Sequence, residues 1–241
     1  MQFENIRQKI VGPEGRPAYQ QIKANKRSDG TSELFIYDTI KGHERDRKTG
    51  KLVRSNTSAE YFQSVLAEHP NVKRINLYVN SNGGSVTQAM GIRAHLLRHP
   101  ARVTAYVDGW AASAASFILT ACDEIKMRTG TMQMIHSMWM ITSGSAKDLR
   151  KAADDLDSIM SGNKAVYLER AQSVGGKLTA AKLDRLMDNE SWLNAEECVR
   201  LGLADEVLQG KTDYPDDQKQ QRGLDFLRAL AKEAERIEAR R

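Results

Sequence analysis

Cysteine is nearly absent from this chain. Cys122 and Cys198 are the only two in 241 residues, and they form no Cys-x-x-Cys pattern. A disulfide framework and a thiolate metal site are therefore excluded as organising features, and two buried free thiols are expected. Long apolar runs are missing as well. None approaches the ~20 residues that a membrane-spanning helix requires. Met1-Gln2-Phe3-Glu4-Asn5 lacks the basic-then-apolar pattern of a signal peptide, so the reading is a cytoplasmic protein with no membrane partner. No basic motif is interleaved with aromatics, and the excess of 36 Lys and Arg over 31 Asp and Glu is dispersed. Only Lys41 to Arg54 and the C-terminal end concentrate basic residues, so the net charge of +5 does not imply nucleic acid. Gly-x-Ser-x-Gly occurs nowhere, which argues against a lipase or esterase. His43, His69, His95 and His99 show no metal-ligand spacing and read as solvated side chains. Neither a metal nor an organic cofactor is expected.

What is present suffices for one large domain, with 40% hydrophobic residues. Residues 1–32 are polar, with turn signals at Gly12-Pro13-Glu14-Gly15 and Ser28-Asp29-Gly30, and read as an N-terminal extension. Glu33 to Ile40 predicts a strand, and Lys41 to Asn56 a charged loop. Thr57-Ser58-Ala59-Glu60 predicts a capping box that opens a helix to Glu68. Strand 75–79, helix 86–98, strand 103–107 and helix 112–121 follow in βαβα order, which argues for a layered α/β core. Residues 33–210 make up this domain. Polar residues 211–221, with Pro215, then form a linker to an amphipathic C-terminal helix marked by Leu224, Leu227, Leu230, Ala234 and Ile237.

One predicted helix is unusually long. Leu149, Ala152, Leu156, Ile159, Met160, Val166 and Leu168 mark a stretch over 146–171 that would span ~40 Å if continuous, with Gly162 as a candidate kink. Its apolar stripe needs cover. A neighbouring subunit would supply it, and packing within the subunit is the alternative.

Chemistry concentrates in three places. Asn80-Ser81-Asn82-Gly83-Gly84-Ser85 breaks a strand just before a helix, where backbone N–H groups can face a developing oxyanion. Gly109-Trp110-Ala111-Ala112-Ser113 puts a serine in a run of small residues at a strand-to-helix junction. A hydroxyl there is a nucleophile only if a base takes its proton, and His136, closing the strand-like run Met132 to His136, is the candidate. Ser116 and Ser137 are alternative hydroxyls without that small-residue turn. Met132, Met134, Met138 and Met140 read as core or cleft residues, and Trp139 as core or specificity pocket.

Taken with Trp192-Leu193-Asn194-Ala195 and the following Glu196-Glu197-Cys198 to Asp205, these motifs resemble the ClpP-type serine peptidases over residues 33 to 208. The likeness is greatest to the phage and prophage branch often described as head maturation proteases. The resemblance implies the ClpP/crotonase-like layered α/β fold with repeated ββα units, and a long protruding handle helix that joins two rings face to face. It implies a Ser-His-acid endopeptidase with Ser113 as nucleophile and His136 as general base. Gly84 and Ala114 match the two oxyanion-hole donors. The acid position falls on Glu190, where an aspartate is usual, with Asp188 as the alternative. The implied partners are a polypeptide substrate, copies of the same chain in a ring, and an unfoldase ATPase or phage head proteins. A catalytically weak or inactive ring or assembly protein and a crotonase-fold acyl-CoA enzyme are the alternative readings.

Overall fold

Apolar residues alternate along the first strands, and in each strand the apolar set turns toward one layer of helices. The computed structural model describes residues 23–26, 29–46, 48–53 and 55–210. Its elements run β1 (Lys23–Lys26), β2 (Thr31–Tyr37), β3 (Glu44–Arg45), β4 (Leu52–Val53), α1 (Ala59–Ala67), β5 (Arg74–Ser81), α2 (Val86–Arg98) and β6 (Arg102–Ala112). Then follow α3 (Ala114–Leu119), β7 (Glu124–Arg128), β8 (Met132–Ile135), α4 (Ala146–Ser173), α5 (Ala180–Asp188), β9 (Ser191–Asn194), α6 (Ala195–Leu201) and β10 (Glu206–Leu208). The expected mixed α/β layering is what forms. The predicted linker and helix at 211–241 lie outside the described residues.

The main sheet is ordered β1-β2-β5-β6-β7-β10, with β8 and β9 branching from β6. Strands β2, β5, β6, β7 and β8 pair in parallel, while β1 and β9 are antiparallel to their neighbours. Leu34, Ile36, Ile75, Leu77, Val79, Val103, Ala105 and Val107 are buried on the helical side. They join one core with Phe62, Val65 and Leu66 of α1, Ala89, Ile92 and Leu96 of α2, and Ala115 and Ile118 of α3. Each Val, Leu, Ile or Phe among them contributes roughly 1.5–3 kcal/mol when taken fully out of water. On the opposite face Phe35, Tyr78 and Tyr106 stack in a row, with centroids 4.9 and 5.2 Å apart.

Strand β6 forks the sheet. Thr104 to Val107 pair with β7, and Trp110 to Ala112 pair with β8. The predicted strand at 103–107 is therefore too short: it continues through the small-residue run, and α3 starts at Ala114 rather than 112. Small side chains suit both conformations, so the sequence pattern does not mark the boundary. Strands β1 and the start of β2 fall within 1–32, where the composition reads as an extension. The predicted strand end at Ile40 also moves, because Asp38 adopts φ 80° and ends β2 at Tyr37. Ile40 instead forms an isolated bridge to Gly84.

Two local predictions need correction. The N-cap of α1 is Ser58, whose hydroxyl accepts from Tyr61 N–H, so Glu60 is one residue too early to close a capping box. Glu60 instead meets His43 Nε2 at 2.6 Å. The four histidines read as solvated are half-buried. His43 Nδ1 also accepts from Ser55 N–H, His95 contacts Arg98, and His99 contacts the His69 carbonyl.

Helix α4 runs unbroken through Gly162 for 28 residues, about 42 Å. Ser145 and Asp148 start it with a reciprocal capping box. Its first part is largely exposed, including Leu149 and Ile159, whereas Met160, Asn163, Tyr167, Arg170 and Ala171 are buried. Arg170 anchors that inner part through an ion pair to Asp205, and Asp205 Oδ2 also accepts from Ile125 N–H at 2.6 Å. Both cysteines are free and buried, and burial pushes each thiol up to about 12. Among the described residues no helix is long and apolar enough to cross a membrane, and no cluster of three His, Cys, Asp or Glu could hold a metal.

Leu77 is fully buried at the centre of the sheet. Leu77→Ala is expected to lower unfolding stability by about 2–5 kcal/mol in chemical denaturation. A loss under about 1 kcal/mol would mean that the core collapses around the site far more readily than this packing allows.

Candidate active site

Strand register brings the predicted residues to one end of the sheet. Ala112 pairs with Met134 in parallel, so Ser113 and His136 both emerge from the carboxyl ends of adjacent strands. Ile135 pairs antiparallel with Ser191, which returns Glu190 to the same end. Ser81 pairs with Ala111, so the Gly83-Gly84 turn leaves β5 beside the Ser113 turn. Ligand sites of open parallel sheets lie outside the carboxyl ends of the strands, as here.

Ser113 sits at φ 55°, ψ −125°, between the last residue of β6 and the first of α3. A non-glycine residue there is strained by roughly 1–3 kcal/mol, and the surrounding contacts hold it in place. Its N–H donates to Met134 O at 2.8 Å. Its side chain meets His136, with Oγ and Nε2 2.7 Å apart. The other ring nitrogen, Nδ1, faces Glu190 Oε1 at 3.9 Å, beyond hydrogen-bond length. His136 is 11% exposed and Glu190 is 64% exposed. Burial lowers the His136 pKa below 6.5, and the Glu190 charge partly opposes that shift. The imidazole is thus neutral near pH 7 and free to accept a proton.

Asp188 is engaged elsewhere: its Oδ1 accepts from Ser137 Oγ at 3.3 Å. Of the two carboxylates named as candidates, Glu190 is the one beside His136. Of the alternative hydroxyls, Ser137 makes that bond to Asp188, and Ser116 is buried and donates to Ser113 O at 2.7 Å.

The Gly83-Gly84 turn needs both glycines. Gly84 has φ 137°, and a Cβ there would lie 2.1 Å from Ile40 O. At Gly83 a Cβ would fall 2.5 Å from Ala112 O and 2.8 Å from Ala114 N. The turn therefore presses directly on the Ser113 junction. Ile40 clamps it from the other side, donating N–H to Gly83 O at 2.7 Å and accepting from Ser85 N–H at 2.8 Å. The N–H groups of Gly84 and Ala114 have no acceptor among the described residues. Ala114 N–H lies at the start of α3, where helical N–H groups are unpaired by construction.

The sequence reading missed two braces. In the sequence Ile40 reads as the end of a strand, and nothing local marks it as a clamp on the glycine turn. Asn80 Oδ1 accepts from Trp110 N–H at 3.4 Å and leaves no room for a Cβ at Gly109; the glycine was the available signal. Trp139 is not a core residue of the subunit, being 70% exposed, with Met140 and Ile141 exposed beside it. Met134 is buried and packs in the sheet next to the site.

A serine hydroxyl bonded to a neutral histidine, on a strained turn beside free N–H groups, is an arrangement suited to acyl transfer. Residues 35–211 match the family described as Clp protease. This chain belongs to the Clp protease family. It is a serine-type peptidase with the α/β fold of ClpP. The ATP-dependent Clp protease proteolytic subunit 2 of Thermobifida fusca (strain YX) is 32% identical over 154 residues, 63% of this chain and 72% of that protein. Proteolytic subunit 1 of Prochlorococcus marinus subsp. pastoris is 30% identical over 190 residues, 76% of this chain and 93% of the relative. Proteolytic subunit 2 of Mycolicibacterium paratuberculosis is 27% identical over 146 residues, 60% and 71% of the two chains.

His136 must be neutral to accept the Ser113 proton, and its pKa is lowered from 6.5. For this Clp-family peptidase the acid limb of kcat/KM should be centred below 6.5, with activity falling as pH drops through the lowered value. Glu190→Gln removes the charge that raises this pKa, so its acid limb should move to still lower pH. An acid limb centred above 6.5 in the parent would assign the base to another group.

Proposed function

We propose that this peptidase cleaves polypeptides internally through an acyl-enzyme formed on Ser113. The observation that carries the reading is the 2.7 Å contact between Ser113 Oγ and His136 Nε2 at the strained turn. Ser113 attacks the scissile carbonyl as His136 takes its proton, and His136 then protonates the leaving amine. The N–H groups of Gly84 and Ala114 hold the oxyanion. Glu190 keeps the imidazole tautomer with Nδ1–H outward and stabilises the imidazolium. Its 3.9 Å separation supports this role over Asp188, which is bonded to Ser137. A glutamate carries one more methylene than the usual aspartate and so reaches from the turn at φ 46°. Water releases the acyl group with the same residues in reverse.

The exposed outer half of α4 supports a ring-like homo-oligomer in which this helix pairs with another copy. The proposed substrates are phage head or scaffold proteins, on the likeness of the Asn80 to Val86 and Gly109 to Ser113 motifs to the phage and prophage branch. A second reading is favoured by the relatives, which are named as subunits of ATP-dependent proteases. In that case an unfoldase ATPase feeds the chain. Cleavage of a folded substrate only when ATP and such a partner are added would favour feeding. Cleavage of head proteins without either would favour processing.

Fluorophosphonate labelling tests the mechanism. The parent chain should label and hydrolyse peptides, whereas Ser113→Ala should do neither and lose roughly 10⁴-fold or more in kcat. Labelling that survives in Ser113→Ala would remove the proposed nucleophile. Glu190→Gln should cost orders of magnitude in kcat and Asp188→Asn only a few-fold. The reverse order would transfer the acid role to Asp188.

The apolar stripe of α4 gives a separate expectation. Leu156→Glu with Ile159→Lys should lower the particle mass in light scattering and reduce peptide hydrolysis together. A double variant at full parental mass, or an active native monomer, would show that the helix has no assembly role.

A further inference from the structure

The peptide unit joining Ser113 to Ala114 has two ends. Its N–H belongs to Ala114, and its carbonyl belongs to Ser113. The unit is planar and trans, so the two groups point in opposite directions. Whatever fixes the carbonyl therefore also aims the N–H.

Ser113 O accepts from Ser116 N–H at 2.9 Å and Phe117 N–H at 3.4 Å, as the first turn of a helix provides. It also accepts from a side chain, Ser116 Oγ, at 2.7 Å. Ser116 Oγ lies 2.7 Å from the hydroxyl of Tyr167, which comes from the anchored half of α4. The direction of this second bond follows from proton counting. Ser116 has one hydroxyl proton and gives it to Ser113 O, so Tyr167 must donate to Ser116 Oγ. Tyr167 is 5% exposed and packs edge-on against Phe117, with centroids 6.1 Å apart. Among the described residues its hydroxyl has no other hydrogen-bond partner. Core packing would explain a buried ring here, and phenylalanine would serve that purpose. The hydroxyl is a burden in a dry site unless it is bonded, and it ends a chain that runs to the back of the Ala114 peptide. Hydrogen bonds in series polarise one another in a low-dielectric interior. Density drawn toward the Ser113 carbonyl oxygen leaves the N–H at the other end a stronger donor.

We infer that Tyr167 is a positioning residue for the peptidase reaction. Acting through Ser116, it aims and strengthens the Ala114 N–H toward the oxyanion of the tetrahedral intermediate. This rests on the reading of Ala114 as an oxyanion donor. It also gives α4 a direct connection to the nucleophile turn.

Tyr167→Phe keeps the ring and removes only the hydroxyl. The full chain, at its native particle mass, would be assayed for peptide hydrolysis and for inhibition by a peptide boronate, which forms a tetrahedral adduct on the serine. Losing a whole oxyanion donor costs about 10²–10³ in kcat, so weakening one is expected to cost roughly 3–30-fold. KM should change less than about twofold, and boronate affinity should weaken by the same factor as kcat/KM. Ser116→Ala should lose at least as much, and the double variant should lose no more than Ser116→Ala, because Tyr167 acts only through Ser116. Parental kcat and boronate affinity in Tyr167→Phe would overturn the inference, as would additive losses in the double variant. If Tyr167→Phe is less heat-stable, active sites are counted by fluorophosphonate titration well below its Tm. An unchanged kcat per labelled site then shows a purely structural role and overturns it as well. Ser113→Ala run in parallel separates the two readings. If that variant is inactive while Tyr167→Phe matches the parent, the peptidase mechanism stands and this inference alone falls.

Discussion

The hydrogen bond from Ser113 N–H to Met134 O, 2.8 Å long, is the constraint on which the site depends. It extends the β6–β8 pairing by one residue past the end of β6, at the point where the chain must turn into α3. Without it, the backbone at Ser113 would relax from φ 55° toward an ordinary conformation, and the hydroxyl would swing away from His136. The same bond fixes the strand that carries His136 two residues later. The antiparallel pairing of β9 to β8 then determines where Glu190 comes to rest. One register thus places three side chains that are far apart in sequence.

The strain at this turn is balanced by close packing on both sides. The Gly83-Gly84 turn presses against Ala112 and Ala114, and Ile40 closes over the turn through two backbone bonds. Any side chain at Gly83 would push into the Ser113 junction, so the glycine and the small-residue run form one packing unit. This explains why a Gly-Gly turn and a Gly-x-Ala-Ala-Ser run together carry meaning that neither carries alone. Each supplies the space that the other's backbone occupies.

Much of this was legible in the sequence because it is local. Helix 86–98 is bounded as predicted, since Ser85 caps it and its apolar spacing is regular. Ser113 stands out in a small-residue run at a strand-to-helix junction, and His136 because it ends a strand-like run. What was not legible depends on partners distant in sequence. The continuation of β6 to Ala112 is set by pairing with β8, not by its own residues. The role of Ile40 appears only when it meets Gly84, and Glu60 misses its expected cap because Ser58 starts the helix, leaving Glu60 to meet His43. By type alone Trp139 reads as core or specificity pocket, and hydrophobicity does not say which surface will cover a side chain. Tyr167 is 51 residues from Ser116, and no spacing rule links them.

Helix α4 is built in two physically different halves. The inner half is tied down by Met160, Tyr167 and the pair between buried Arg170 and half-buried Asp205, and removing Asp205 would leave the buried guanidinium uncompensated. The outer half leaves Leu149 and Ile159 exposed. A helix of about 42 Å transmits displacement along its axis, because its backbone bonds resist local bending. A tilt imposed at the outer half must therefore be absorbed where the inner half is anchored. That anchor includes the Tyr167 hydroxyl bonded to Ser116, one hydrogen bond away from the Ser113 carbonyl. The exposed outer half and the anchored inner half thus belong to one continuous helix, and the anchored half reaches the Ser113 carbonyl through Ser116.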